Sequence, residues 1–370
     1  AYIDEGRLPK AIEVAKKGLS LNPKNISLLK NSTDSLLLLN RLDEAEQTCK
    51  KILSINEEET DAINAMGTIY EKRGHYERAK NYFSKALEIN KNLFLPKINI
   101  ATIYQLQGRI EEAVKIYSQL VKEHEKNVEV LFRKSAITLV TENFKQGWKD
   151  YEYRWNISPH NKVEWPFPKN KLWKGERGKR VALWKEQGIG DDIIFLSLVP
   201  EVKKMCSSLS VYVDPRLRPL CKRAMPEIDF VKDIEELKSI ECDYHLPLGS
   251  VPGLVRNDIS DFDKTVRGYL KADSTRVESI RNELKLNGKT VVGISWRSFN
   301  SLNQIKKSVQ LRDMKHIFSG LDVVLINLQY GDVEDEIREF KKETGIDVVQ
   351  CASVDNREDL DGLAALIEVC

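Results

Sequence analysis

A short segment near the middle of the chain, Trp184 to Ile193, holds the residues best suited to chemistry. It reads Trp-Lys-Glu-Gln-Gly-Ile-Gly-Asp-Asp-Ile, with apolar runs on both sides. This pattern predicts a strand, a tight glycine-bearing turn and the start of a helix. Asp191 or Asp192 is then expected at the helix entry, where aspartate is a favoured cap. A carboxylate at this place lies where open α/β sheets bind their ligands.

The same turn also has a purely structural interpretation. Many strand-to-helix turns carry glycine and aspartate for capping alone, and the spacing by itself favours that alternative. Gln187, Gly188 and Gly190 are expected to set the geometry of the loop. The third glycine of the dinucleotide-binding fingerprint is missing, and no Gly-Lys-Ser/Thr follows, which excludes a P-loop.

A second group of polar residues follows an apolar run in the C-terminal third. Its cations could neutralise a diphosphate, and its hydroxyl groups could add hydrogen bonds. The group consists of Ser295, Arg297, Ser298, Lys306 and Lys307. A further predicted strand end, Asn327 to Asp332, includes Gln329 and could frame a nucleotide base. A solvated basic loop and an ordinary turn are the open alternatives.

The composition limits the class of protein. The chain has 370 residues, enough for two or three domains, and 41% of them are hydrophobic. The 58 basic and 56 acidic side chains nearly cancel, which argues against a nucleic-acid partner. No apolar run reaches the length of a membrane span. The six cysteines form no Cys-x-x-Cys pair and the five histidines are isolated, so we expect no metal site and a cytoplasmic location.

The N-terminal third contains an internal repeat. A six-residue phrase recurs, and its small sixth residue is repeated every 34 positions, at Ala11, Ala45, Ala79, Ala113 and Gly147. This is the period of tetratricopeptide repeats, which pair two helices per copy. Such helices stack into a superhelix with a concave binding surface. Asn31 and Asn99 share one position of the repeat and form a weak candidate peptide groove, while a spacer or dimerisation arm is the alternative. Because Tyr2 already falls at a recurring position of the 34-residue repeat, we expect the natural N-terminus to lie upstream.

A junction rich in aromatic residues follows the repeats. Four of the six tryptophans lie there, at Trp148, Trp155, Trp165 and Trp173. Stacking on a sugar or a base is one interpretation. The favoured one is that these side chains attach the last repeat to the next domain, since aromatic residues bury much area each.

From residue 181 onward, short apolar runs alternate with helical patterns. This alternation predicts parallel sheets with crossover helices. The predicted strands are Val181–Trp184, Leu209–Val213, Phe230–Val231, Tyr244–Leu248, Val291–Trp296, Val323–Leu328 and Asp347–Val349. The predicted helices are Thr275–Leu286, Leu311–Ser319, Val333–Glu343 and Glu358–Val369. Two series joined near residues 269–274 indicate two Rossmann-like halves.

Several motifs together carry a resemblance to a known family. In chain order they are Gly147 to Trp155, Leu172 to Glu176, Gly178 to Arg180, Trp184 to Asp191, Leu246 to Pro252 and Gly293 to Trp296. Their order resembles bacterial tetratricopeptide proteins with a C-terminal domain similar to the family 9, heptosyltransferase-like glycosyltransferases. The resemblance covers essentially the whole chain, and its most specific part is Glu-Gln-Gly-Ile-Gly-Asp.

The resemblance implies a GT-B fold, in which the first half binds the acceptor and the second half binds the nucleotide-sugar. It implies that Asp191 is the general base on the acceptor hydroxyl. It also implies that Lys307, or its neighbour Lys306, contacts the donor phosphates. No cofactor is expected, and the departing nucleoside diphosphate would be stabilised without a metal.

The expected domains are a repeat array at residues 1–158, a connector at 159–180, an acceptor-side half at 181–272 and a donor-side half at 273–370. The family's diphosphate-binding turn is absent, so we expect an incomplete donor half, which leaves the activity of this chain open. The loop also differs from that of heptosyltransferases, so the sugar is not assigned. The expected function is sugar transfer to a protein or glycan presented by the repeats. The alternative is a non-catalytic interaction scaffold with a degenerate glycosyltransferase-like domain.

Overall fold

The structure is a computed structural model that describes residues 7–157, 162–264, 268–286, 288–298 and 308–370. The chain divides into two compact units. Of the described residues, the first unit contains 7–137 together with 297, 298 and 308, and the second contains 138–296 and 309–370. Within the described ranges, no helix is both long and apolar enough to span a membrane.

The first unit is an array of antiparallel helix pairs. Its helices are α1 (Leu8–Leu21), α2 (Ile26–Leu38), α3 (Leu42–Ile55), α4 (Thr60–Lys72), α5 (Tyr76–Ile89), α6 (Phe94–Leu106), α7 (Ile110–Glu123) and α8 (Val128–Val140), the last of which continues into the second unit. The even-numbered helices begin 34 residues apart, and so do the odd-numbered ones. The predicted helical solenoid is confirmed.

Each repeat turns on one residue in the left-handed backbone region. Gly74 and Gly108 have φ angles of 78° and 73°, and Asn40 and Glu142 hold the equivalent positions with φ angles of 56° and 62°. Glycine adopts this conformation without the steric cost of a Cβ atom, and asparagine tolerates it. The recurring phrase of the sequence is therefore the turn between the two helices of a repeat.

Small residues allow the helices of the array to approach closely. Ala45, Ala79 and Ala113 are fully buried. At Gly67 an added Cβ atom would lie 2.4 Å from a ring carbon of Phe83, which is also fully buried. The phenylalanine ring therefore packs directly on the backbone of the preceding helix, as close-packed interiors require.

After the end of α8, the second unit contains α9 (Phe144–Tyr151) and a 3-10 helix (Glu152–Asn156), followed by two parallel sheets. The strands of the first sheet are β1 (Lys179–Trp184), β2 (Cys206–Tyr212), β3 (Asp229–Phe230) and β4 (Tyr244–Pro247). The helices that follow them are α10 (Ile189–Leu196), α11 (Val199–Lys203), α12 (Arg218–Ala224), α13 (Ile234–Ser239) and α14 (Pro252–Val255).

The second sheet contains β5 (Thr290–Ile294), β6 (Val323–Asn327) and β7 (Val348–Val349), in that spatial order. Its helices are α15 (Ser274–Leu284), α16 (Lys315–Phe318), α17 (Glu334–Thr344) and α18 (Leu360–Val369). A 3-10 helix, Leu311–Met314, precedes α16, so the helix predicted over Leu311–Ser319 is partly of the tighter type.

The order of the first sheet is β3-β2-β1-β4. The chain moves outward from β1 to β3 and then returns to the other side of β1, so β1 and β4 flank a topological switch point. Trp184 is opposite both Tyr212 and Pro247, which places the carboxyl ends of β1, β2 and β4 at one edge. Ligands of open α/β sheets bind at such an edge, next to the switch point.

The four junction tryptophans are used in packing. Trp173 is buried, and the indole N–H of Trp148 donates to the carbonyl of Arg256 at 2.8 Å. The rings of Trp155 and Trp165 lie 4.6 Å apart, and Trp165 contacts Trp184 of β1 at 5.3 Å. The connector after α9 is therefore attached to the first sheet by aromatic contacts, as the second interpretation of these residues predicted.

Candidate functional site

The loop between β1 and α10 carries the Glu-Gln-Gly-Ile-Gly-Asp segment. Gly188 occupies the N-cap position of α10, and no side chain caps the helix. The prediction that Asp191 or Asp192 is the cap is therefore wrong, because the helix begins before them, at Ile189. Both aspartates instead lie in the first helical turn, where the helix dipole favours negative charge.

Arg154, from the 3-10 helix after α9, lies beside this loop. Its side chain is fully buried and donates to Glu186 Oε1 at 3.1 Å and to Ser250 Oγ at 2.7 Å. Its guanidinium group also lies 4.6 Å from the ring centroids of Tyr151 and Trp155. One arginine thus connects the loop after β1 with the loop after β4, across the switch point.

Gln187 extends the same network. Its amide group donates to Glu186 Oε1 at 3.1 Å, and its carbonyl oxygen accepts from the Tyr151 hydroxyl at 3.0 Å. Gly249 faces these side chains, and an added Cβ atom would lie 2.4 Å from both Gln187 Nε2 and Glu186 Oε1. Gln187 therefore connects the loop after β1 with α9 through the Tyr151 hydroxyl, and its role in setting the loop geometry stays a prediction.

The two aspartates of the loop have different surroundings. Asp191 is partly exposed, and its Oδ2 atom would be 3.5 Å from a Cβ atom added at Gly188. Asp192 is only 1% exposed and accepts from the backbone N–H of Asp214 at 3.3 Å. A general base must reach its substrate, so Asp191 has the accessibility that the predicted role needs and Asp192 does not.

Asp192 belongs to a charged cluster between the loops after β1 and β2. Lys185 Nζ lies 3.5 Å from Asp192 and 3.3 Å from Asp214. Burial raises the pKa of Asp192 to about 6, although the Lys185 ammonium favours the charged form. Arg216 donates to Asp214 at 2.9 Å and, with Lys185, holds the pKa of Asp214 at about 2. Arg216 also donates to the carbonyl of Arg357 at 3.0 Å, which connects this loop to the C-terminal half.

The Asp192→Asn variant is expected to gain stability relative to the wild type as the pH rises from 4 to 6. A carboxyl with a raised pKa keeps its proton longer in the folded state than in the unfolded state, so the wild type loses stability over this window. The difference in unfolding free energy between the variant and the wild type should change by roughly 2 kcal/mol over this pH range and level off at higher pH. Urea unfolding at a series of pH values measures it. A difference that stays constant over this window would contradict the raised pKa.

The C-terminal half places Ser295 and Gln329 together. Gln329 is 2% exposed, and its Oε1 atom accepts from the Ser295 hydroxyl at 3.1 Å and from the Trp296 backbone N–H at 3.0 Å. The Gln329 amide group donates to the Tyr330 carbonyl at 3.0 Å. Gln329 therefore joins the carboxyl ends of β5 and β6. Gln329 is buried, whereas the Ser295 residue that it binds is exposed.

Three cations were also predicted to contact the donor phosphates, and the structure describes one of them. Arg297 is partly buried. Lys306 and Lys307 lie outside the described residues. The role of all three as phosphate contacts stays a prediction.

The repeat array places the two asparagines of the candidate groove differently. Asn31 is exposed on α2, whereas Asn99 on α6 donates to Asn64 Oδ1 on α4 at 3.2 Å. A peptide-binding role for either residue stays a prediction. In the described part of the chain, no three histidine, cysteine, aspartate or glutamate side chains are grouped so that they could hold a metal ion.

Three family models described as tetratricopeptide repeat match the chain, at residues 2–68, 60–93 and 98–127. The N-terminal part of the chain therefore consists of tetratricopeptide repeats, a type of module suited to protein–protein interaction.

A curated relative extends the similarity beyond the repeats. Protein FlbA of Caulobacter vibrioides is 28% identical over 255 residues, which are 64% of this chain and 42% of FlbA. The chain thus spans less than half the length of that relative. A match of 255 residues is longer than the helical array, so the similarity includes part of the α/β region.

Solved structures resemble the repeat region. A tetratricopeptide repeat protein from Parabacteroides merdae is 21% identical, with a TM-score of 0.37, and the match covers 42% of this chain and 60% of that one. TTC0263 of Thermus thermophilus is 17% identical, with a TM-score of 0.38 and coverages of 42% and 84%. The first repeat domain of Spaghetti (RPAP3), solved with an HSP90 peptide, is 25% identical, with a TM-score of 0.28 and coverages of 29% and 85%.

The contacts of Arg154 and Ser250 could not be found from the sequence. Both residues lie inside motifs that carry the family resemblance, Gly147 to Trp155 and Leu246 to Pro252. Arg154 and Ser250 are 96 residues apart in the chain, and no local pattern announces their contact. The one indication in the sequence was that Arg154 lies among aromatic residues, because arginine often stacks on aromatic faces.

Proposed function

We propose that the protein is a glycosyltransferase that moves a sugar from a nucleotide-sugar to a protein or glycan acceptor presented by the tetratricopeptide repeats. The observation that carries the proposal is the β3-β2-β1-β4 sheet, whose switch point is bordered by the Glu-Gln-Gly-Ile-Gly-Asp loop. This is where an α/β sheet binds its substrate. A second parallel sheet follows in the same unit, which is compatible with a GT-B pair of halves.

In the proposed reaction, Asp191 removes the proton from the acceptor hydroxyl as its oxygen attacks the anomeric carbon. The bond from that carbon to the nucleoside diphosphate breaks, and the diphosphate leaves with the electron pair. Arg297 and Lys307, or Lys306, would stabilise its charge, with the Ser295 hydroxyl as a hydrogen-bond donor that exchanges Gln329 Oε1 for a diphosphate oxygen. Gln187, Gly188 and Gly190 hold the loop that carries Asp191.

A non-catalytic scaffold is the second candidate, and a specific observation favours it. Arg154 and Tyr151 form hydrogen bonds with the loop after β1, at Glu186 and Gln187, and Gln329 is bound within the protein. The Gln187 and Gln329 amides, which could bind a ligand, form their hydrogen bonds within the protein, although Arg154 Nε has no hydrogen-bond partner. In this case the α/β region would serve as a rigid support for the repeats.

Thermal-shift measurements with UDP-, GDP-, ADP- and dTDP-sugars distinguish the two candidates. An enzyme should melt a few degrees higher with one nucleotide class only. Lys307→Ala should remove the shift. Asp191→Asn should keep the shift and reduce transfer roughly 10²- to 10⁴-fold. A protein that melts cooperatively but responds to none of these nucleotides would favour the scaffold.

A further inference from the structure

The repeat array contains a cavity that the proposed chemistry does not use. Its volume is about 270 Å³, and it lies between α2 and α4. The residues around it are Lys30, Thr33, Asp34, Leu37, Ile52, Asp61, Ala62, Asn64, Ala65, Thr68 and Leu95. These residues belong to consecutive repeats, so the cavity forms where neighbouring repeats stack on one another.

The lining has two chemical parts. Leu37, Ile52 and Leu95 supply aliphatic surface, and Ile52 is fully buried. Asp34 and Asp61 supply carboxylates, and their side chains remain accessible to solvent. An occupant that fits both parts needs an apolar stem and a polar or charged end.

The charge of the cavity is negative. Among the described residues that line it, Lys30 is the one cation, and it already binds two carboxylates, Glu59 at 3.2 Å and Asp61. Asp34 adds a further negative charge. Burial and the nearby Asp61 carboxylate raise the pKa of Asp34, and Lys30 only partly offsets this. A cation placed between Asp34 and Asp61 would relieve their repulsion.

We propose that this cavity binds the side chain of a lysine or arginine in an extended peptide. Both side chains combine a methylene stem with a cationic head, which matches the aliphatic surface and the carboxylates. An acidic residue would meet repulsion from Asp34, and a purely apolar one would leave the Asp34 carboxylate uncompensated, since Lys30 already binds Asp61. The inference rests on the part of the proposed function that gives the repeats a peptide partner, and it specifies the chemistry of that partner.

A random-heptapeptide phage library panned on the intact protein tests the proposal. The selected peptides should be enriched in lysine or arginine at one position. Synthetic versions with norleucine or glutamate at that position should bind more weakly in fluorescence-anisotropy titrations, and the affinity of the parent peptide should fall as ionic strength rises. Acidic or apolar selected sequences, or none at all, would overturn the proposal.

Two variants should change the affinity in opposite directions. Asp34→Asn should weaken binding of the selected peptide roughly fivefold, the size of one exposed charge pair. Lys30→Gln should strengthen it, because Asp61 and Glu59 lose their internal partner. Asp43→Asn is the matched control, because it changes the net charge by the same amount as Asp34→Asn. Asp43 is exposed on α3, away from the cavity, so this variant should leave the affinity unchanged. Equal effects of the Asp34 and Asp43 variants would place the peptide elsewhere.

The outcome of the peptide selection does not depend on the outcome of the nucleotide-sugar measurements. Nucleotide-sugar binding is measured without a peptide, and peptide selection is measured without a nucleotide. Selection of basic peptides without any nucleotide shift would support this inference and the scaffold together. A nucleotide shift without basic peptides would overturn this inference alone.

Discussion

Replacing Arg154 with methionine is expected to lower the unfolding free energy of the second unit by about 3–5 kcal/mol. The guanidinium group is fully buried, and its removal leaves the buried Glu186 carboxylate without its cationic partner. The Ser250 hydroxyl loses a hydrogen-bond donor at the same time. All six tryptophans lie in the second unit, so urea unfolding followed by tryptophan fluorescence reports on it.

Two further variants test this explanation. Adding Glu186→Gln to Arg154→Met should recover part of the lost stability, because the unpaired buried charge is removed. Arg180→Met removes a partly exposed arginine that also binds two carboxylates, and its effect should be far smaller. If the two arginine variants unfold at the same urea concentration, burial of Arg154 does not control the stability of this unit.

Replacing Phe83 with alanine is expected to destabilise the repeat array by about 3–5 kcal/mol. Its ring is fully buried and packs against the backbone at Gly67. The change leaves a cavity between α4 and α5 that the surrounding helices can only partly fill. Far-ultraviolet circular dichroism during thermal unfolding measures the loss. Tyr82, the neighbouring residue on α5, is only partly buried, so Tyr82→Ala should cost less.

The contact between Phe83 and Gly67 allows a double-mutant cycle. Gly67→Ala alone should destabilise by roughly 1–3 kcal/mol, since its methyl group would overlap the ring. In the Phe83→Leu background the same methyl group has room, so the double variant should be more stable than the sum of the single changes. Strict additivity would mean that the helices separate to accept the methyl group.

The sequence predicted the elements of this protein well where the pattern is local. The repeat phrase located the described turns at Asn40, Gly74, Gly108 and Glu142, and in three of the four a glycine or asparagine suits the left-handed conformation found there. Strand β1 was predicted from four apolar residues in a row. They are all buried because both faces of a parallel strand are covered.

The sequence predicted the site less completely. It located the Glu-Gln-Gly-Ile-Gly-Asp loop, but it assigned the helix cap to an aspartate instead of Gly188. The start of a helix depends on backbone angles that neighbouring loops impose, and the residue types alone leave an uncertainty of a few positions. Likewise, it gave Gln329 a ligand-binding role, whereas the structure also uses it to join β5 and β6.

The sequence by itself determined the repeat array, the alternation of strands and helices and the position of the candidate loop, because each depends on residues close together in the chain. Only the tertiary structure decided that Arg154 connects the loops after β1 and β4, that Asp192 is buried while Asp191 is partly exposed, and that α2 and α4 line an acidic cavity. These features join residues from different elements. Their energies depend on burial and distance, which a linear pattern does not contain.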